Sequence, residues 1–431
     1  MNAKMVELPE GIHTVTLGVG DLNGVMRGKR IPASHWPAIC ENGCALTVAV
    51  FAIDMTCDVW DTPYVNIDTG YHDMHLFPDG PAYAVPWEEG VAFCFGRAEG
   101  MDHKPVPIDP RNALIKVLDR ARSMGYEIQI GSELEFYLLD KETLVPFGDG
   151  TQVYGLTRAA EMEHVLGPIR RYLNDVGIPI EQSNPELAPG QVEVNMLYGE
   201  ALQSVDRAVS FRSLVKEIAL SKGFHATFMS KPYIDQSGSG YHTHHSMWKD
   251  GVNVFADGGK LSAIGMNYLA GMQKRMAETA LSAATTPNAF RRRQPYTFCP
   301  TTASWGIDNR TTGLRVIEGK DNAVRIEKRD GSADCNPYYL VACEIAAGLD
   351  GIEQKMEPTP ICAGNAYEMD GDDALPTDLA TALELARNSA FMNEVMGADG
   401  LGILIGQGER ELEFFAGQIT AVETERYLTN F

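Results

Sequence analysis

A chain of 431 residues, 44% hydrophobic and 22% charged, can build two or three domains around a large core and needs neither disulfide nor metal to fold. Its formal net charge of −22 excludes nucleic acid and anionic membranes as partners, because phosphate binding needs a basic surface. No apolar run is long enough to span a bilayer, the start "MNAKMVELPEGIHTV" carries no signal segment, and the eight cysteines form no paired CxxC motifs. A cytoplasmic chain with reduced, structural cysteines is therefore expected.

The first hundred residues read as short strands and turns, "IHTVTLGVGD", "ALTVAVFAID" and "GVAFCFGRA". The Pro- and Asp-rich stretch "EGMDHKPVPIDPRN" marks a domain boundary near residue 105, dividing the chain into 1–105 and 106–431. Asp109-Pro110 opens a helix with Ala113, Leu114, Val117, Leu118 and Ala121 on one face, closed by Gly125. Helices then alternate with strands. "YEIQIGSELEFYLL" and "GQVEVNM" read as strands, and residues 201–222 as a helix. "HATFMS" and "GYHTHHSMW" read as strands, and 261–286 as a helix. "GLRVI" and "NAVRIEKR" read as strands, and two helices follow, "NPYYLVACEIAAGLDGI" and "DLATALELARNSAFMNEVM". The second part is thus α+β with a sizeable sheet.

Several strands carry a polar face. Glu133 and Glu135 alternate with Leu134 and Phe136, Glu193 alternates with Val192 and Val194, and Glu186 precedes a Pro-Gly turn. Arg325, Glu327 and Arg329 share a face opposite Val324 and Ile326. In "GSGYHTHHSMW", His242, His244 and Ser246 share one face, and Tyr241, Thr243, His245 and Met247 the other. If these faces line one cavity, its five carboxylates repel one another unless cations sit among them. Oxygen donors with one imidazole suit Mg²⁺ or Mn²⁺, and six ligands suffice for two ions. Arg292, Arg310, Arg315, Arg325 and Arg329 imply a polyphosphate held between guanidinium groups and metals. No GxxxxGK[ST] loop is present. The residues describe a two-metal site for phosphoryl transfer.

Six motifs in order, "GSELEFYLLD", "NPELAPGQVEVNM", "GSGYHTHHSMW", "DNRTTGLRV", "RIEKRDGSADCNPY" and "AAGLDGIEQ", resemble the glutamine synthetase superfamily over nearly the whole chain. The resemblance implies an N-terminal β-grasp domain and a catalytic domain with a curved antiparallel sheet and flanking helices. It also implies an active site between neighbouring subunits of a dodecamer of two hexameric rings. By resemblance, Glu135, Glu186 and Glu193 hold a metal near glutamate, and Glu133, His242 and Glu327 hold one near the ATP phosphates. His244 and Ser246 fall on the nucleotide and phosphate side, with Arg310, Arg315 and Arg325. Gly238, Arg292 and Arg329 contact glutamate, Arg310 and Glu327 belong to the catalytic set, and His245 is structural. Tyr367 lies where some members are adenylylated, but its surroundings differ, so an ordinary surface tyrosine is expected.

Two departures bear on the amine. The flap "RRRQPYTFCPTTASW" places Phe298 where ammonia-using members carry a glutamate, and "FAIDMTCDVW" stands in for "FDGSS", with Asp54 as the proton acceptor. The segment "GDLNGVMRGKRIP" is similar to the branch that joins glutamate to organic amines, the γ-glutamylmethylamide and γ-glutamylputrescine synthetases. The resemblance implies an ATP-dependent ligase that joins glutamate to a small amine through γ-glutamyl phosphate. Residues 294–305 contain no Asp or Glu but do contain Tyr296, Phe298 and Trp305. With two of these aromatics lining the amine pocket, methylamine is expected ahead of putrescine and ammonium. A non-catalytic relative would have no need of the six ligands and five arginines.

Overall fold

The computed structural model describes residues 5–148, 150, 153–369 and 373–431. The first sheet is built from β1 (Thr14–Gly20), β2 (Met26–Pro32), β3 (Cys44–Thr47), β4 (Asp73–Ala84) and β5 (Val91–Gly100), in the order β2-β1-β5-β4-β3. The central pair β1 and β5 runs parallel, and the other neighbours are antiparallel. With a short helix at Trp36–Asn42, this is a β-grasp-like arrangement. "ALTVAVFAID" is not one strand: after Thr47 it turns into a 3-10 helix, Val48–Ala52, capped by the Thr47 hydroxyl, which accepts from Ala49 N–H.

The second sheet has nine strands. They are β6 (Glu127–Asp140), β7 (Ile180–Pro185), β8 (Gln191–Glu200), β9 (Phe224–Thr227), β10 (Tyr241–Lys249) and β11 (Val252–Asn253), followed, after a separate ribbon of β12 (Ala256–Asp257) and β13 (Lys260–Leu261), by β14 (Trp305–Ile307), β15 (Leu314–Ile317) and β16 (Arg325–Lys328). The order is β14-β15-β16-β10-β6-β8-β7, with β9 on β6 and β11 on β10. All of its pairs are antiparallel except β14–β15. "YEIQIGSELEFYLL" is a single strand, bulged against β8 between Ile130 and Ser132.

The helices read from the sequence form, with two breaks. The stretch 261–286 stops at Arg275 and resumes as the single turn Ala280–Ala283. "DLATALELARNSAFMNEVM" splits at Asn388 into Leu379–Arg387 and Ala390–Ala416. Asn336 explains part of the "NPY" motif. Its side chain caps helix Pro337–Glu353 by accepting from Tyr338 and Tyr339 N–H, and donates to the carbonyls of Asp21 and Leu22. One cap thus starts a core helix and ties it to the first sheet. One apolar cluster runs from β1 and β5 into helices Pro110–Ser123, Pro337–Glu353 and Ala390–Ala416.

Candidate active site

Strand register decides whether the polar faces meet. Glu133 pairs with His242 across β6 and β10, Glu135 with Glu193 across β6 and β8, and His244 with Glu327 across β10 and β16. Directly paired residues point the same way, so the carboxylates and imidazoles converge on one face of four adjacent strands. The opposite faces hold them there: Leu134, Phe136, Val192, Val194 and Ile326 are fully buried.

Two cavities open on this face. One, of about 260 Å³, is lined by Glu133, Glu135, Glu186, Glu193 and His242, with Gly238, Arg292, Phe298, Arg310 and Arg329 around them. The other, of about 280 Å³, contains His244, Ser246 and Arg325, with Asn322 and Tyr198. Glu133 lines both. Glu133 thus joins the metal-side and phosphate-side cavities, while Glu327 and Arg315 line neither.

The donor atoms fall into two groups, each compact enough to hold an ion. Glu133, Glu193 and His242 bring ligand atoms within 4.8 Å of one another, and so do Glu133, His244 and Glu327. Carboxylate oxygens with one imidazole are the donor set expected of Mg²⁺ or Mn²⁺. The grouping differs in detail from the resemblance. Glu135 accepts from Gly240 N–H at 2.7 Å, Glu186 accepts from Asn184 at 3.0 Å, and His244 joins Glu327 in place of His242.

Cations of the chain balance one side only. Glu327 pairs with Arg329, lies 3.0 Å from Arg315 and 3.7 Å from His242. Burial works against its charge, but Arg329, His244 and His242 prevail and hold its pKa at about 2. Glu133 is likewise held well below the carboxylate range: burial opposes, and His244 and His242 outweigh it. On the other side Arg310 acts on Glu186 but does not outweigh burial and the neighbouring carboxylate. Burial, then the charges of Glu133, Glu135 and Glu186, push Glu193 up to about 9, and burial with Glu135 pushes Glu186 to about 7. These carboxylates are crowded to the point of holding protons, as expected where a divalent cation neutralises them.

This asymmetry has a consequence for stability. Both groups start from 4.5, so the folded chain keeps protons that the unfolded chain releases. The stability they contribute is complete below about pH 4.5 and is lost as pH rises through about 7 and about 9. Melting temperature without metal is expected to fall between pH 6 and 9, and Mn²⁺ to raise it more at pH 8.5 than at pH 6, where protons compete for the site. Thermal melts at both pH values with and without Mn²⁺ check this. An equal metal effect at both would contradict it.

The comparisons with known proteins give the same picture. The family model for the glutamine synthetase catalytic domain matches residues 107–427. The chain belongs to the glutamine synthetase family. It is 34% identical over 392 residues to a glutamate–isopropylamine ligase of a Pseudomonas species, covering 87% of this chain and 85% of that one. It is 33% identical over 429 residues to the gamma-glutamylethanolamide synthetase GlnA4 of Streptomyces coelicolor, covering 96% and 92%. A solved GmaS/ADP complex superposes with a TM-score of 0.86 at 28% identity, covering 97% of each chain. The family uses ATP and divalent metals, and this member is an ATP-dependent carbon–nitrogen ligase.

Phe298 lines the first cavity with a backbone φ of 58°, in the left-handed region uncommon for bulky residues, and its carbonyl accepts from Arg329. Tyr296 and Trp305 do not line that cavity. Tyr296 packs at a tilt against Tyr367, ring centroids 5.2 Å apart, and Trp305 is buried in β14 with its indole N–H donating to Thr359 O. Tyr367 is not an ordinary surface tyrosine. It is half-buried, donates to Cys299 O, and with Tyr296 ties the flap to the 365–369 segment. Val153, Tyr154 and Leu187 supply the rest of the cavity's apolar wall. They come from loops, where no periodic pattern marks them. Arg315 lines neither cavity and is engaged with Glu327 and Asp308. Asp54 also lies outside both. It accepts from Thr56 and Asp58, and Arg410 reaches it at 3.4 Å. Burial would raise its pKa, but these bonds outweigh burial and leave it lowered.

Proposed function

We propose that this glutamine synthetase family member joins the γ-carboxylate of L-glutamate to a short alkylamine, with methylamine favoured. The observation that carries the reading is the wall of the first cavity. Phe298, Val153, Leu187 and the Tyr154 ring stand beside Glu186 and Glu193, and flap residues 294–305 bring no carboxylate. A small alkyl group buries against such a wall, whereas ammonium gains nothing from it. The relatives named for isopropylamine and ethanolamide products agree with a small organic amine. A diamine's second ammonium would meet apolar groups here, which ranks putrescine lower.

In this reading residues 1–105 form the N-terminal unit and 106–431 the catalytic one. Glu135, Glu186 and Glu193, with Glu133, His242 and Glu327, hold two divalent cations. When bound, these ions neutralise the charge of the carboxylates and phosphates. Arg292, Arg329 and the Gly238 backbone orient glutamate, and Arg310, Arg315 and Arg325 steady the phosphates with His244 and Ser246. A γ-carboxylate oxygen attacks the terminal phosphorus of ATP, and the bond to ADP breaks. The alkylammonium gives one proton to solvent, the neutral amine nitrogen attacks the acyl carbon, and phosphate leaves with the electron pair of the C–O bond and takes up the proton that the nitrogen sheds as the amide forms. Asp54 would reach the cavity only from a neighbouring copy, which ties its role to the ring assembly of two hexamers. With its pKa lowered, Asp54 suits attraction of the incoming ammonium better than proton removal.

The test is kcat/KM for methylamine, ethylamine, putrescine and ammonium in wild type and Phe298→Glu. A methyl group in an apolar pocket contributes about 0.8 kcal/mol, so a preference over ammonium of roughly fourfold is expected in wild type. Phe298→Glu should reduce that preference and raise ammonium use. Putrescine leading in wild type would refute the pocket argument, and absence of any amine-dependent ADP release would refute the ligase reading.

A further inference from the structure

The reverse face of the metal-bearing strands is not an ordinary apolar core. Thr243 and His245 of β10 and Lys328 of β16 are buried there, and all reach one carboxylate, that of Glu344 on helix Pro337–Glu353. Thr243 Oγ1 donates to Glu344 Oε2 at 2.9 Å, and His245 Nε2 lies 3.0 Å from the same oxygen. Lys328 Nζ lies 3.2 Å from Glu344 Oε1 and 2.5 Å from Asp330, which faces Arg293 at 3.8 Å. His245 Nδ1 lies 3.0 Å from the Tyr268 hydroxyl. Two carboxylates and two cations are thus enclosed together, with a histidine, a threonine and a tyrosine filling the remaining positions.

Such a network is an expensive way to fill a core. Buried ion pairs rarely stabilise more than apolar groups of the same volume, and their best-attested use is to fix register. Register is what these strands need. β16 has four residues and meets β10 through three pairs, Thr243 with Lys328, His244 with Glu327 and His245 with Ile326. A slip of one residue would turn Glu327 away from His244 and put Lys328 in its place. The three partners of Glu344 sit on both sides of that junction, in alternation with His242, His244 and Glu327.

We propose that Glu344 is a positioning residue: by clamping Thr243, His245 and Lys328 it holds β10 and β16 in the register that sets His242, His244 and Glu327 for the divalent cation. The inference rests on the metal reading given above, and its test separates the two. Mn²⁺ binding to the assembled protein, without ATP, is measured by the electron paramagnetic resonance of the free ion for wild type, Glu344→Gln and Thr243→Val, beside their melting temperatures. Residues that orient ligands typically cost about 10-fold or more in metal affinity when changed, so Glu344→Gln is expected to weaken Mn²⁺ binding by at least that factor and Thr243→Val by a smaller one. Glu344→Gln decides the matter if it folds, and Thr243→Val decides it if Glu344→Gln does not. Wild-type affinity in the deciding variant, even with a lowered melting temperature, marks the network as structural and overturns the proposal. Failure of wild type itself to bind Mn²⁺ overturns the metal reading and this inference with it.

Discussion

Replacing Glu327 by Ala is expected to lower turnover by about a thousandfold or more, on the scale seen when one preorganised charge partner is removed from a reacting centre. Glu327 is fully buried and stands where three strands bring their charges together, facing Arg315 from β15, Arg329 beyond β16, and His242 and His244 from β10. Burial opposes its charge, but Arg329, His244 and His242 outweigh burial and hold its pKa at about 2. Losing it removes a proposed metal ligand, takes the carboxylate from Arg329 and leaves Arg315 with Asp308 alone. Breaking a buried pair in this way costs about 3–5 kcal/mol, so the melting temperature should fall as well. Glu135→Ala makes the informative comparison. Among the described residues its Oε2 accepts one bond, from Gly240 N–H, and it forms no ion pair with an arginine. It is expected to lose turnover as fully while costing only the penalty of one unsatisfied donor, about 1–3 kcal/mol. ADP release with glutamate, Mg²⁺ and methylamine, measured beside melting curves and the sizing profile, checks both. More than about a tenth of wild-type activity in either variant would mean that the metal sites lie elsewhere.

The contrast between these carboxylates shows what the sequence discloses and what it withholds. Alternation along β6, β10 and β16 is a local signal, and it assigned Glu133, Glu135, His242, His244 and Glu327 to polar faces before any pairing was known. Their convergence is a property of register between segments as far apart as Glu133 and Glu327, and alternation says nothing about that. The family motifs supplied it. Where neither signal applied, the reading failed. Composition offers Tyr296, Phe298 and Trp305 as candidates, two of them to line the amine pocket, but only Phe298 does: Tyr296 packs at a tilt against Tyr367 and Trp305 fills the core under β14. Val153 and Tyr154 sit on a loop and Leu187 in a turn, with no periodicity to single them out. The side of the strand on which His245 falls makes it structural, and it lies buried on that side. Its partners Tyr268 and Glu344 are 23 and 99 residues away, so the charged network around it left no local trace. "ALTVAVFAID" alternates like a strand, yet the Thr47 hydroxyl captures the next turn and ends the strand at its fourth residue.

The glycines before the histidine cluster offer the second large effect. Gly240 lies between Glu135, Arg292 and His242, and its backbone bonds to Glu135 in both directions, N–H to Oε2 at 2.7 Å and carbonyl to the Glu135 N–H at 3.0 Å. A Cβ added here would overlap Arg292 Nη2 and come within 2.9 Å of His242 Nε2. Arg292 has little room to yield: it is buried and donates to the carbonyls of Gly331 and Arg329 at 3.0 and 3.3 Å. The collision therefore falls on the two side chains proposed to hold glutamate and the metal, while the φ of Gly240 is one that alanine accepts. A misplacement of about 1 Å at a reacting centre costs on the order of a hundredfold, and Gly240→Ala is expected to lose that much in kcat/KM for glutamate, with a much smaller change in melting temperature. Gly402→Ala is the control. It lies in helix Ala390–Ala416 with nothing within 4 Å of the new methyl group, and should leave activity intact while adding up to about 1 kcal/mol of stability. Wild-type kcat/KM in Gly240→Ala would show that Arg292 and His242 do not set the reacting geometry, because the new methyl group cannot be accommodated without moving one of them.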